Sequence, residues 1–145
     1  MNEITISQPH PIIEYIIHFI HRWNIDLEQT KTNDDLATVL VDMVDDIEYD
    51  ILRNRDRLFG HGGTDIPVWI IDVLKDMKIT LRILSNSMYP WGKSHIKKPI
   101  INSNMFKNIK IRTENLLRNS LFQLQQGSFG PQNEHSYPIT LKELL

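Results

Sequence analysis

The periodicity of residues 66–88 decides the class of fold. Ile66, Ile70, Val73, Leu74, Met77, Leu81, Leu84 and Met88 recur at three- and four-residue intervals. At about 100° per residue that spacing gathers them on one side of an α-helix, whereas a strand would scatter them over both faces. Asp65 stands where a cap belongs, Pro67 suits the first turn, and Tyr89-Pro90-Trp91-Gly92 ends the run. A helix with one apolar side is stable only against other apolar surfaces, and the chain supplies three more.

The spacing predicts a first helix over Pro11–Trp23, with Ile12, Ile16, Phe19, Ile20 and Trp23 at the centre of its apolar face. A second starts at Thr32 or Asn33, carries Asp34 and Asp35 in its first turn, and runs to Leu58 on the stripe Leu36, Leu40, Met43, Val44, Ile47, Ile51 and Leu58. The fourth, capped by Ser103, reaches Gln126 and buries Met105, Phe106, Ile109, Thr113, Leu116, Leu117 and Leu124, leaving Ile111 and Phe122 on its far side. Thr140 and Glu143 form a capping box for a short final helix, Leu141 to Leu145. The expected fold is all-α: an up-down four-helix bundle, one domain over residues 1–145, with an N-terminal arm (1–10) and a C-terminal tail (127–145).

Several chemistries are excluded at once. With no cysteine there is no disulfide, thiolate nucleophile or cysteine-based metal centre. Residues 1–8 have neither a basic start nor an apolar core, so no signal peptide is expected. The most apolar run, 11–23, is interrupted by Glu14, His18, His21 and Arg22 and is too short to span a membrane. A cytoplasmic protein without membrane contact and without a cofactor is the expectation.

Net charge is −2, but the signs are segregated. Residues 1–56 hold twelve Asp and Glu against four Lys and Arg; residues 75–118 hold ten Lys and Arg against Asp76 and Glu114. Either the basic half faces an anionic partner, or the two halves lie side by side and neutralise each other. Glu14, His18 and His21 share a helix face at a spacing that three metal ligands can use, but that face opposes the apolar stripe, where solvated residues belong. Asp42, Asp45, Asp46, Glu48 and Asp50, with Asp72 and Asp76 on the next helix, suggest magnesium, yet lack the Glu-x-x-Glu spacing of the all-α pyrophosphohydrolases. No metal site is assigned. Lys97 and Lys98 beside Trp91 offer cations and a stacking surface suited to RNA, or an ordinary solvated loop.

The most chemical stretch is Leu52-Arg-Asn-Arg-Asp-Arg-Leu-Phe-Gly-His-Gly62. Arg55 lies in the last turns of helix two, and His61 follows after five intervening residues in a glycine turn. A histidine can move protons at a 2′-hydroxyl or a leaving oxygen, and an arginine fork can hold the scissile phosphate. The alternative is a helix terminus in which Arg53, Arg55 and Arg57 answer Asp46, Asp50 and the last carbonyls. The stretch resembles the signature of the HEPN superfamily, small helical bundles that include metal-independent endoribonucleases of toxin–antitoxin and defence systems. In that motif, arginine and a polar residue precede histidine by four to six positions, which Arg55-Asp56 and His61 satisfy. The resemblance covers about residues 52–84. It implies that Arg55 binds phosphate, His61 is the general acid/base, Asp56 orients one of them, and two protomers meet as a homodimer.

Two functions follow. One is a HEPN-like endoribonuclease or RNA-binding relative acting through Arg55, His61 and Asp56. The other is a non-enzymatic immunity protein or antitoxin that blocks a basic partner with Asp42, Asp45, Asp46 and Asp50. Between Asp34 and Asp50 the chain has seven acids and no Lys or Arg, and acidic surfaces accelerate capture of basic partners.

Overall fold

The computed structural model describes residues 10–55, 57, 66–89 and 98–126. Residues 1–9 of the arm, the Asp65 cap, the 90–97 loop and the tail with its capping box lie outside the described residues, as does Leu58, but the second helix ends at Leu52 ahead of a turn at Arg53 and Asn54, short of the expected Leu58. Among the described residues four helices are complete: α1 (Pro11–Glu28), α2 (Asn33–Asp45, continued by a π-helical stretch Asp46–Leu52), α3 (Val68–Asn86) and α4 (Ser103–Gln126). The fold is the expected all-α bundle, and no strand occurs among the described residues. Each helix packs on its neighbour in sequence, and α4 returns to α1 to close the ring. No helix among the described residues is long and apolar enough to cross a membrane.

The caps explain where the helices begin. His10 accepts the Ile12 N–H through Nδ1 at 3.1 Å, ahead of Pro11, whose missing N–H would have had no partner there. Thr32 and Asp35 exchange side-chain and backbone bonds as a capping box for α2. Two expectations are corrected here. Asn102, not Ser103, caps α4, accepting the Met105 N–H at 2.9 Å. Pro67 precedes α3 instead of lying within its first turn, because the chain is extended at that residue and helical only from Val68.

A third correction is that α1 runs past Trp23 to Glu28. Leu27 is fully buried there, so the apolar stripe is one turn longer than its densest part. The core consists of Ile12, Ile16, Ile20, Trp23 and Leu27 from α1; Leu36, Leu40, Met43, Ile47 and Ile51 from α2; Ile70, Leu74, Met77 and Leu81 from α3; and Leu116 and Leu117 from α4. Of the expected α4 face, Met105 and Phe106 are only partly buried against this core. Cross-links from polar groups fix the ends. Lys110 Nζ on α4 donates to the Thr30 carbonyl in the α1–α2 turn, and Asn33 donates to the Ile101 carbonyl, each at 3.1 Å.

Candidate functional site

Helix α2 changes its hydrogen-bonding at Asp46. The Arg53 N–H donates to the Glu48 carbonyl at 3.1 Å, five residues back, in place of four. The wider turn aligns side chains five apart, which on a regular α-helix would point about 140° away from each other. Arg53 Nε therefore donates to Glu48 Oε2 at 2.8 Å, while its guanidinium lies 4.8 Å from the centre of the Tyr49 ring. Lys78 reaches the other Glu48 oxygen from α3. Hydrogen bonds from Lys78 and Arg53 hold the Glu48 carboxyl down at about 2. The same stretch buries both Ile51 and Leu52, the second of which lies off the expected stripe.

The arginines past this point are engaged locally. Arg55 Nη1 donates to the Leu52 carbonyl at 2.6 Å, and Arg57 to Asn54 Oδ1 at 3.4 Å. Arg53 is paired with Glu48, and it is Arg22 of α1, not an arginine of this stretch, that answers Asp46. Arg55 is half-buried. Asp56 and His61 lie outside the described residues, as do Trp91 and Lys97; Lys98 is exposed.

The acidic residues divide into two kinds. Asp46 is part of the fold: its Oδ2 accepts the Trp23 indole N–H at 2.8 Å and an Arg22 N–H at 3.2 Å. Asp42 and Asp45 are exposed and make no hydrogen bond or ion pair among the described residues. Asp50 is exposed beside Asp46. Partial burial raises the Asp42 carboxyl above its usual range, and the charges of Asp46, Asp45 and Asp26 add to that. Burial and then Asp46 push Asp50 in the same direction, against the pull of Arg22. Arg22 answers Asp46 and pulls on Asp50, but Asp42 and Asp45 have no such partner among the described residues, and their charge leaves a negative potential that a cationic group would relieve.

Shape adds to charge. A cleft of about 420 Å³ on one side of α2 is lined by Asp26, Thr30, Asp35, Val39 and Asp42. On the other side, a cleft of about 290 Å³ lies between Asp34, Val41 and Asp42 and the residues Tyr89 and Pro99. Thr38 and Asp42 line both, so the exposed ridge of α2 stands between two hollows. Val41, 42% exposed, sits on that ridge, and Ile25 of α1 is 55% exposed nearby in sequence to Asp26.

The sequence places the candidate partner-binding acids, Asp42, Asp45, Asp46 and Asp50, on the second helix alone. The α1 contribution, Asp26, comes from the extension of that helix beyond Trp23 and needed the fold to be seen. Asp72 and Asp76 do not join the ridge: Asp76 is raised by its own burial and by Asp72, with no α2 carboxylate acting on it. Glu14, His18 and His21 are all exposed on α1, and no group of three or more metal-ligating residues occurs among the described residues. No protein-family model matches the chain, and neither a curated protein nor a solved structure is significantly similar to it.

Proposed function

We propose that the protein is a non-enzymatic helical interaction module that captures a basic protein through the acidic ridge of α2, in the manner of an immunity protein or antitoxin. One observation carries this reading: Asp42, which lines a cleft on either side of α2, and Asp45 are exposed and unpaired among the described residues, and partial burial and then its neighbours' charges raise the Asp42 carboxyl. A lysine or arginine brought to the ridge relieves that repulsion, and Val41 supplies apolar contact on it. Asp46 acts through the fold by holding Trp23 and Arg22. The absence of cysteine makes the chain indifferent to a reducing environment, in keeping with a cytoplasmic setting.

The test is affinity capture from the protein's own source, comparing the parent with Asp42→Asn/Asp45→Asn. These changes keep side-chain size and remove charge. A basic protein retained by the parent, eluted by salt and lost from the variant supports the reading. Identical retention by both proteins, or none by either, refutes it.

The HEPN-like ribonuclease is retained as a second reading because Arg55 lies three residues beyond the end of a π-helical stretch, a distortion frequent at functional sites. In this reading Arg55 holds the phosphate, His61 moves the proton and Asp56 orients one of them, with Trp91, Lys97 and Lys98 guiding RNA. Incubation with total RNA in EDTA separates the two proposals. Cleavage by the parent and not by His61→Ala establishes the ribonuclease; intact RNA with folded parent protein removes it.

A further inference from the structure

The segregation of charge in the sequence persists on the surface. Among the described residues one ion pair, Lys78 to Glu48, joins the basic half of the chain to the acidic half. No other ion pair crosses that divide among the described residues, although Arg118 of α4 lines one cleft with Glu28 of α1 and with Glu114. Helices α1 and α2 are adjacent, as are α3 and α4, and each pair packs on the other through the core. Their outer surfaces consequently point away from one another.

On α2, Asp34, Val41 and Asp45 fall within about 40° of each other around the axis, and all three are exposed. This is an apolar residue in an acidic frame. On α4, Lys107, Ile111, Arg118 and Phe122 fall within about 60°, with Glu114, half-buried, on the same side. Ile111 is 51% and Phe122 58% exposed, and the two cations beside them are exposed as well. This is an apolar pair in a basic frame. The neighbouring helix α3 continues the pattern with Lys75, Ile79 and Arg82, all exposed.

We infer that the basic surface fitted by the acidic ridge includes that of a second copy of this chain, with α4 of one molecule docking on α2 of the next. The inference rests on the acidic ridge being a binding surface and names an occupant for it. Two features select a second copy over a polyanion on the α4 face. The α2 face is acidic while exposed Lys75, Arg82, Lys107 and Arg118 outnumber the acids beside them on α3 and α4, and each face centres on exposed aliphatic or aromatic groups that a phosphate backbone does not cover. Since the two surfaces differ and lie on separate sides, the contact is heterologous. Such a contact repeats from molecule to molecule unless it closes into a ring.

The test is sedimentation equilibrium of the full chain at about 10 mM and about 500 mM salt, where the screening length falls from about 30 Å to a few ångströms. At low salt the average mass should rise with concentration from 17.1 kDa to at least about twice that value, and high salt should return it to 17.1 kDa. Asp42→Lys/Asp45→Lys damages the acidic face, and Ile111→Asp/Arg118→Glu the basic face. Each variant alone should remain a monomer with unchanged helical circular dichroism. Mixed in equal amounts, they retain one intact face each and should form a dimer that grows no further.

Monomeric parent at low salt overturns the inference, and so does association of the parent that the mixed variants fail to reproduce. If the parent stays monomeric while the capture experiment still loses its basic protein in Asp42→Asn/Asp45→Asn, self-docking falls and the acidic-ridge reading stands. If both experiments fail, both proposals fall.

Discussion

Asp46 is the residue at which the acidic surface and the hydrophobic core meet, and its removal gives the sharpest test of how the bundle is held. Its Oδ2 accepts the Trp23 indole N–H at 2.8 Å, and Trp23 is only 1% exposed. In Asp46→Ala the indole N–H loses its acceptor at a site with little water. Leaving a buried donor unmade costs about 1–3 kcal/mol. The Arg22 pair, whose side chains are 51% and 20% exposed, adds at most about 1 kcal/mol. Relief of the repulsion that Asp46 exerts on Asp42 and Asp50 acts in the opposite direction; exposed like charges of this kind are worth about 0.5 kcal/mol. The balance is a loss of about 2 kcal/mol, or a fall in Tm of roughly 6 °C for a chain of this size. Asp46→Asn keeps an oxygen acceptor for the indole and loses only the charge, so its cost should be under about 1 kcal/mol. Urea denaturation followed by circular dichroism, with tryptophan fluorescence as a second probe, measures both. An Asp46→Ala variant within about 0.5 kcal/mol of the parent, or equal losses for Ala and Asn, would show that the indole bond is not what makes Asp46 structural.

Further expectations follow from particular groups. The Glu48 carboxyl is held near 2 by Lys78 and Arg53, below its ordinary 4.5. Its contribution to stability is therefore complete above about pH 4.5 and fades as pH falls toward 2, and in Glu48→Gln that part of the acid transition should be missing from a pH series of urea midpoints. Asp42 is raised, so its ionisation opposes folding, an effect absent at low pH and growing as pH rises through the folded value. Asp42→Asn should thus be more stable than the parent at pH 7 by less than about 1 kcal/mol and equal to it at pH 2.5, while losing partner capture. Thr32→Ala removes half of the α2 capping box and should cost about 1 kcal/mol in thermal melts, with Thr32→Ser restoring most of it. Ser120 is fully buried with no hydrogen bond to its hydroxyl among the described residues, so Ser120→Ala should raise the urea midpoint by about 1 kcal/mol in equivalent stability.

Local periodicity settles the part of the fold that needs no distant contact. Four apolar stripes at helical spacing force four helices that can bury them only against one another, and Ile70, Leu74, Met77 and Leu81 took the buried places their spacing assigned. Thr32 was legible as a cap because capping chemistry acts within a turn. The exposed positions of Ile111 and Phe122 followed from the same angular argument. Tertiary structure decided what depends on contacts distant in the chain. The register change at Asp46 places Glu48 between Lys78 of α3 and Arg53 five residues on, an alignment absent from the three- and four-residue spacing of a regular helix. It also separated Asp46, bound to a tryptophan 23 residues away in sequence, from Asp42 and Asp45, which composition alone makes indistinguishable from it. Charge segregation was visible along the chain, but whether opposite charges meet within one molecule depends on helix packing, and here packing keeps the two faces apart because each pair of neighbouring helices turns its apolar side to the other.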